Sequence, residues 1–153
     1  MRGFTLVLTG CLFLAGLAVP PVPAADDALP RLVGIWKGIE RDMHWEESGF
    51  TMNDESPVKA VFEIKEQKGR VFTGVRTWTN RQGTFSEPFS GVIAADTKRL
   101  YMVDHEDGYL FADIAGANEI HFYYLESGAS AKIIYTKTVR DESSPAAEAA
   151  AEA

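Results

Sequence analysis

The stretch VKAVFEIKEQKGRVFTGVRTWT, residues 58–79, decides the fold. Val58, Ala60, Phe62 and Ile64 alternate with Lys59, Val61, Glu63 and Lys65, so one face is apolar and the other mostly charged. Alternation with a period of two marks a strand with one buried face. A second such run, Arg70–Thr79, follows Gln67-Lys68-Gly69, which reads as a β-hairpin. A two-residue turn would place Lys68 at positive φ, whereas a three-residue loop needs positive φ only at Gly69, which has no Cβ to clash. That loop pairs Glu66 with Arg70, and so Ile64 with Phe72, Phe62 with Gly74, Ala60 with Arg76 and Val58 with Trp78. Phe72, Gly74, Arg76 and Trp78 are then expected to point inward.

The same pattern continues on both sides of this hairpin. Further strands are expected at Val33–Arg41, Thr84–Pro88 with Phe89–Ala95 (one kinked strand or two), Arg99–His105, Tyr109–Ala115, Glu119–Glu126 and Ala131–Arg140. Arg81-Gln82-Gly83, Asp107-Gly108, Ala117-Asn118 and Ser127-Gly128 supply turns, with Asp107-Gly108 expected as a tight two-residue one. No stretch between them repeats at 3.6 residues, and no connection has room for a parallel crossover. Closure removes the exposed sheet edges, so the expected fold is all-β: an antiparallel up-and-down barrel of about eight strands over residues 33–140. One connection is long. Asp42–Ser56, with Met43, His44, Trp45, Phe50 and Met52, is expected to be a loop covering the barrel.

Residues 1–24 read as a signal peptide: Arg2, an apolar run from Phe4 to Val19, three prolines, and Val22-Pro23-Ala24 as a cleavage site. The apolar run falls short of the roughly 20 residues a spanning helix needs, so no membrane insertion is expected after cleavage. Leu8-Thr9-Gly10-Cys11 has the form of a lipobox, but the apolar run continues beyond it. Cleavage after Ala24 leaves a chain of about 129 residues, enough for one domain, with no cysteine and thus no disulfide or thiol chemistry. The expected location is periplasmic or secreted. Residues 25–32 lead into the barrel, and 141–153 form an Ala/Glu tail, expected to be disordered because it has no aromatic or β-branched residue. Without Arg2, 14 basic residues face 22 acidic ones, a net charge near −8, which disfavours nucleic acid as a partner.

Gly34-Ile35-Trp36, opening the first strand, resembles the calycin barrels (lipocalins, fatty-acid-binding proteins, avidins). Phe72-Thr73-Gly74 and Ile134-Tyr135-Thr136-Lys137 resemble the avidin branch. The resemblance implies that Trp36 lies at the barrel floor with a basic residue from the last strand, Lys137 or Arg140, packed on it. It does not imply biotin. The positions matching two of the avidins' polar biotin contacts are Arg76 and Ile133 here, and each unpaired polar atom of a bound ligand costs about 1–3 kcal/mol. A nitrobindin-like haem barrel is also similar at Gly34–Gly38, but it needs a histidine near the C-terminus, and none follows His121.

No cofactor or metal is expected. Asp104–Gly108 places its glycine one position early for a calcium loop, and His44, His105 and His121 form no ligand pair. Neither a nucleophile elbow nor a phosphate loop occurs. The candidate site comes from the inward faces. Trp36 brings Gly38 and Glu40, while Ile120 and Phe122 bring Tyr124. Arg76 among aromatics would be too costly unpaired, so it either pairs with Glu40 or another acid or, with Trp78 and Tyr124, receives an anionic or planar ligand under His44 and Trp45; a register one residue off would put it on the surface instead. Three readings follow: a barrel that binds a small hydrophobic or anionic ligand, an interaction or inhibitor protein acting through its loops, or an isomerase- or cyclase-type enzyme.

Overall fold

The computed structural model describes residues 29–46, 49–52, 58–129 and 131–143; for 42, 44–46 and 49–52 it describes the backbone. The leader with Cys11 and the tail from 144 lie outside the described residues. Nine strands follow in order: β1 (Gly34–Glu46), β2 (Gly49–Met52), β3 (Val58–Lys68), β4 (Val71–Asn80), β5 (Gly83–Ile93), β6 (Arg99–Asp104), β7 (Tyr109–Gly116), β8 (Glu119–Glu126) and β9 (Lys132–Arg140). Every pairing is antiparallel, and β1 pairs with β9, so β1 and β3–β9 close an eight-stranded barrel. No helix occurs among the described residues.

Inward side chains stack from floor to mouth. Trp36 plugs the floor, its indole N–H donating to the Leu32 carbonyl at 2.9 Å. Gln67 ties the lead-in beneath it, accepting from the Leu32 N–H and donating to the Pro30 carbonyl. Arg140 supplies the basic lid, its guanidinium 4.1 Å from the Trp36 ring centroid and bonded to the Val33 and Arg31 carbonyls. Lys137 does not share this role. One odd step along β9 turns it outward, where it pairs with Glu119 at 2.8 Å. Above the floor Phe62 and Phe122 stack at 3.9 Å, with Phe72 and Phe89 set at an angle nearby.

Three local expectations need correction. The β3–β4 hairpin turns through Gly69-Arg70, pairing Lys68 with Val71, with φ +55° at Gly69, so the lone positive φ sits first in a two-residue turn. A bulge at Lys65 then shifts the ladder, and Ile64 meets Gly74 instead of Phe72. The Asp107-Gly108 turn is also wider than expected. The β6–β7 ladder ends at Val103 and Tyr109, and the Asp104 carboxylate organises the loop by accepting the Glu106 and Asp107 N–H groups. Finally, Asp42–Ser56 is not one loop. β1 continues to Glu46 because β9 offers partners as far as Lys132 opposite His44, and β2 folds back along β1's other edge above the end of β3.

The segment around Pro88 is one strand. Pro88 pairs with Val75 on β4, and its carbonyl accepts from the His105 N–H just past the end of the β5–β6 ladder. Its missing N–H therefore leaves that ladder intact.

Candidate functional site

The barrel is filled with apolar side chains from Trp36 up to the Phe62–Phe122 stack. Above that level the inward side chains change character. Arg76 on β4 and Glu40 on β1 are each only 4% exposed, and Arg76 donates from Nε at 3.2 Å and Nη2 at 2.6 Å to one oxygen, Oε1, of Glu40. The guanidinium lies 4.6 Å from the Trp78 ring centroid and 4.9 Å from that of Tyr124. A desolvated cation over an aromatic face gains about 2 kcal/mol, so the rings add to what Glu40 supplies. The structure thus brings together four of the six ligand-site candidates, Glu40, Arg76, Trp78 and Tyr124. The side chains of the other two, His44 and Trp45, lie outside the described residues, although both backbones belong to β1.

The structure adds residues that the sequence reading missed. Phe85, the cross-strand partner of Trp78, stacks on it at 5.6 Å and 21°, yet remains 43% exposed at the rim. Glu87 stands opposite Arg76 on β5. Burial, then a hydrogen bond with Asp104 and repulsion from its charge, push the Glu87 carboxyl up to about 7, although Arg76 pulls the other way. On the far side Tyr124 directs its hydroxyl at the Asp107 carbonyl (2.6 Å) and Glu126 (3.0 Å). Burial, followed by the Glu126 hydrogen bond, raises its pKa far above the usual phenol range. Lys132 closes the rim, 2.6 Å from Glu126. A signal for Phe85 and Glu87 existed in their alternation with Phe89, but Pro88 obscured it.

The inward rim therefore carries the carboxyl groups Glu40, Glu87, Asp104 and Glu126 against the bases Arg76 and Lys132. Arg76 directs its Nε and Nη2 donors at Glu40. Among the described residues, no group of three His, Cys, Asp or Glu side chains is arranged to hold a metal ion. His121 faces outward, hydrogen-bonded to Glu119 at 2.8 Å and Tyr135 at 3.3 Å.

No family model and no curated protein sequence matches this chain. Solved structures do. A redesigned β-barrel, b11L5F_LGL, superposes with TM-score 0.52 at 11% identity, over 77% of this chain and 96% of that one. EF1p2_mFAP2b bound to DFHBI gives 0.51 at 11% identity, over 76% and 97%. The redesigned barrel mFAP0, also bound to DFHBI, gives 0.50 at 10% identity, over 71% and 98%. At such identities the likeness establishes the fold, a closed antiparallel β-barrel.

Proposed function

We propose that this protein is an exported barrel that binds a small planar molecule, neutral or cationic, at the mouth of the barrel, stacked on Trp78 and Phe85. The observation that carries the reading is Phe85. An inward aromatic stacked on a second one, yet 43% exposed, is a surface left for a flat partner above a core already filled. The buried Arg76–Glu40 pair beneath fixes the Trp78 ring, and the surplus of carboxyl groups disfavours an anionic ligand. The DFHBI complexes of similar barrels support the reading, since that fold accommodates a small molecule in those proteins. Kinship with the avidin branch rests on Phe72-Thr73-Gly74 and Ile134-Tyr135-Thr136-Lys137 alone. Biotin finds no support, because Ile133 faces outward at 54% exposure and Arg76 is taken by Glu40.

Native mass spectrometry of protein recovered from its own cell envelope tests the proposal. A retained small molecule should raise the melting temperature, and Trp78→Ala should abolish both retention and shift. Retention unchanged in Trp78→Ala would rule out the stacking site. A second reading, a barrel enzyme, rests on Glu87, whose raised pKa suits a general acid or base near neutral pH. In that case Glu87→Gln loses turnover and keeps binding.

A further inference from the structure

The outer wall carries a feature that the mouth does not explain. Cross-strand pairing lines up two outward rows. The upper one runs Val103, Tyr109, Leu125, Ile133 and Met43 across β6, β7, β8, β9 and β1. The lower one runs Val92, Tyr101, Phe111, Tyr123 and Tyr135 across β5–β9. Tyr101 meets Phe111 edge-on at 5.9 Å, and Tyr123 lies 5.5 Å from Tyr135. On the solvent side of a soluble barrel such positions are ordinarily polar. Here Tyr109 is 62% exposed, with Val103, Ile133, Tyr101, Phe111 and Leu125 between 39% and 54%. Below the belt, a row of Arg99, Asp113, His121 and Lys137 alternates polar groups of both signs, with Tyr123 bonded to Asp113 at 3.1 Å.

We infer that this belt is the face on which two copies of the chain pair about a twofold axis near Leu125 on β8. Size is the first argument. An aromatic side chain offers about 150–250 Å² when bare, so six partly exposed belt residues present on the order of 500–600 Å². A monomer's largest apolar patch is about 300–600 Å² and often functional, and two such faces with their polar rim reach the roughly 1,200 Å² of a specific interface. The composition agrees: tyrosine and phenylalanine at the centre with charge at the rim is the anatomy of an interface. Shape is the second argument. The belt's lower row ends at Tyr135, which also lines a depression of about 470 Å³ on β1 and β9 just below the belt, with Gly38, Ile39, Arg41, Lys137 and Val139. A twofold beside β8 sets each copy's belt against the same belt of the other, as an isologous interface requires. Charge is the third. The whole sequence carries a net −7, so two copies repel except where they meet on an uncharged wall, and the same charge works against an anionic lipid surface. The belt is only two residues high along each strand, about 7 Å, far short of a bilayer's hydrocarbon core.

Sedimentation equilibrium of the chain purified from its natural compartment tests this, with Leu125→Lys as the probe and Thr79→Lys on the opposite wall as the control. Both substitutions are outward, and circular dichroism confirms that each variant is folded. The expected result is a dimer at micromolar concentration in the parent and in Thr79→Lys, with association weakened at least 100-fold, towards monomer, in Leu125→Lys. A parent that stays monomeric at 100 μM overturns the inference, as does a dimer that Leu125→Lys leaves intact. A monomer that floats with phosphatidylcholine vesicles overturns it too and assigns the belt to a lipid surface. Because the belt faces away from the mouth, loss of dimerisation leaves ligand retention at Trp78 to be judged separately.

Discussion

Replacing Arg76 by methionine tests the pair that organises the mouth. Methionine keeps most of the aliphatic stem and can still place its sulfur against the Trp78 and Tyr124 rings, so about 0.3–1.5 kcal/mol of aromatic contact survives. What disappears is the guanidinium, whose two donors end on one Glu40 oxygen that is almost wholly out of water. Removing one partner of a buried pair costs about 3–5 kcal/mol, since the remaining charge keeps its desolvation penalty. That is a large share of the roughly 5–15 kcal/mol that holds a domain folded. In Arg76→Met with Glu40→Leu both charges leave together, and stability should return to within about 1 kcal/mol of the parent or exceed it. Urea melts followed by tryptophan fluorescence, read as a double-mutant cycle, give the coupling directly; it should exceed about 3 kcal/mol. If Arg76→Met costs less than about 0.5 kcal/mol, as surface changes do, or if the two changes are additive, the buried-pair account is wrong.

Three further outcomes are expected. Trp36→Ala should cost about 3–5 kcal/mol in the same melts, because it opens a cavity at the floor and removes the ring under Arg140; a loss below 1 kcal/mol would contradict a floor sealed by Trp36. Glu87 holds a proton in the folded protein from about pH 4.5, where the unfolded chain releases it, up to about 7, so its contribution is complete at low pH and declines as pH rises through 7. Glu87→Gln should flatten that part of the melting-temperature profile, and parallel profiles would refute the assignment. N-terminal sequencing of protein from the cell envelope should begin within two residues of Ala25, whereas a start at a lipidated Cys11 would replace the soluble exported form by an anchored one.

Much of the barrel is legible in the sequence because a half-buried strand announces itself every second residue. The β3–β4 pair shows how far that goes. The turn was misjudged, yet Phe72, Gly74 and Arg76 still face inward, because the ladder beyond the Lys65 bulge is displaced by an even number of residues from the expected one. The extension of β1 was not legible, since the pairing of Asp42–His44 with Ile134–Lys132 on β9 joins residues roughly ninety apart in the chain. At the mouth, Arg76 stood out as a charge in an apolar alternation. Glu87 and Asp104 did not, one lying beside a proline and the other at a strand end that reads as turn.

The seam between β1 and β9 also governs how the chain reaches its fold. Each of the hairpins from β3 to β9 joins neighbours in sequence, but Arg140 meets the Val33 and Arg31 carbonyls across 107 and 109 residues. Closing so long a loop adds little to the equilibrium cost, because that entropy grows only logarithmically, but such distant contacts slow the search for the native state. A chain emerging N-terminus first must therefore hold β1 open until its last strand arrives. β2 covers the edge of upper β1 that β3 does not reach, and the edge awaiting β9 remains a template for another chain. Aggregation during refolding should accordingly rise with protein concentration, and a chain truncated before Lys132 should aggregate even when every other strand is present.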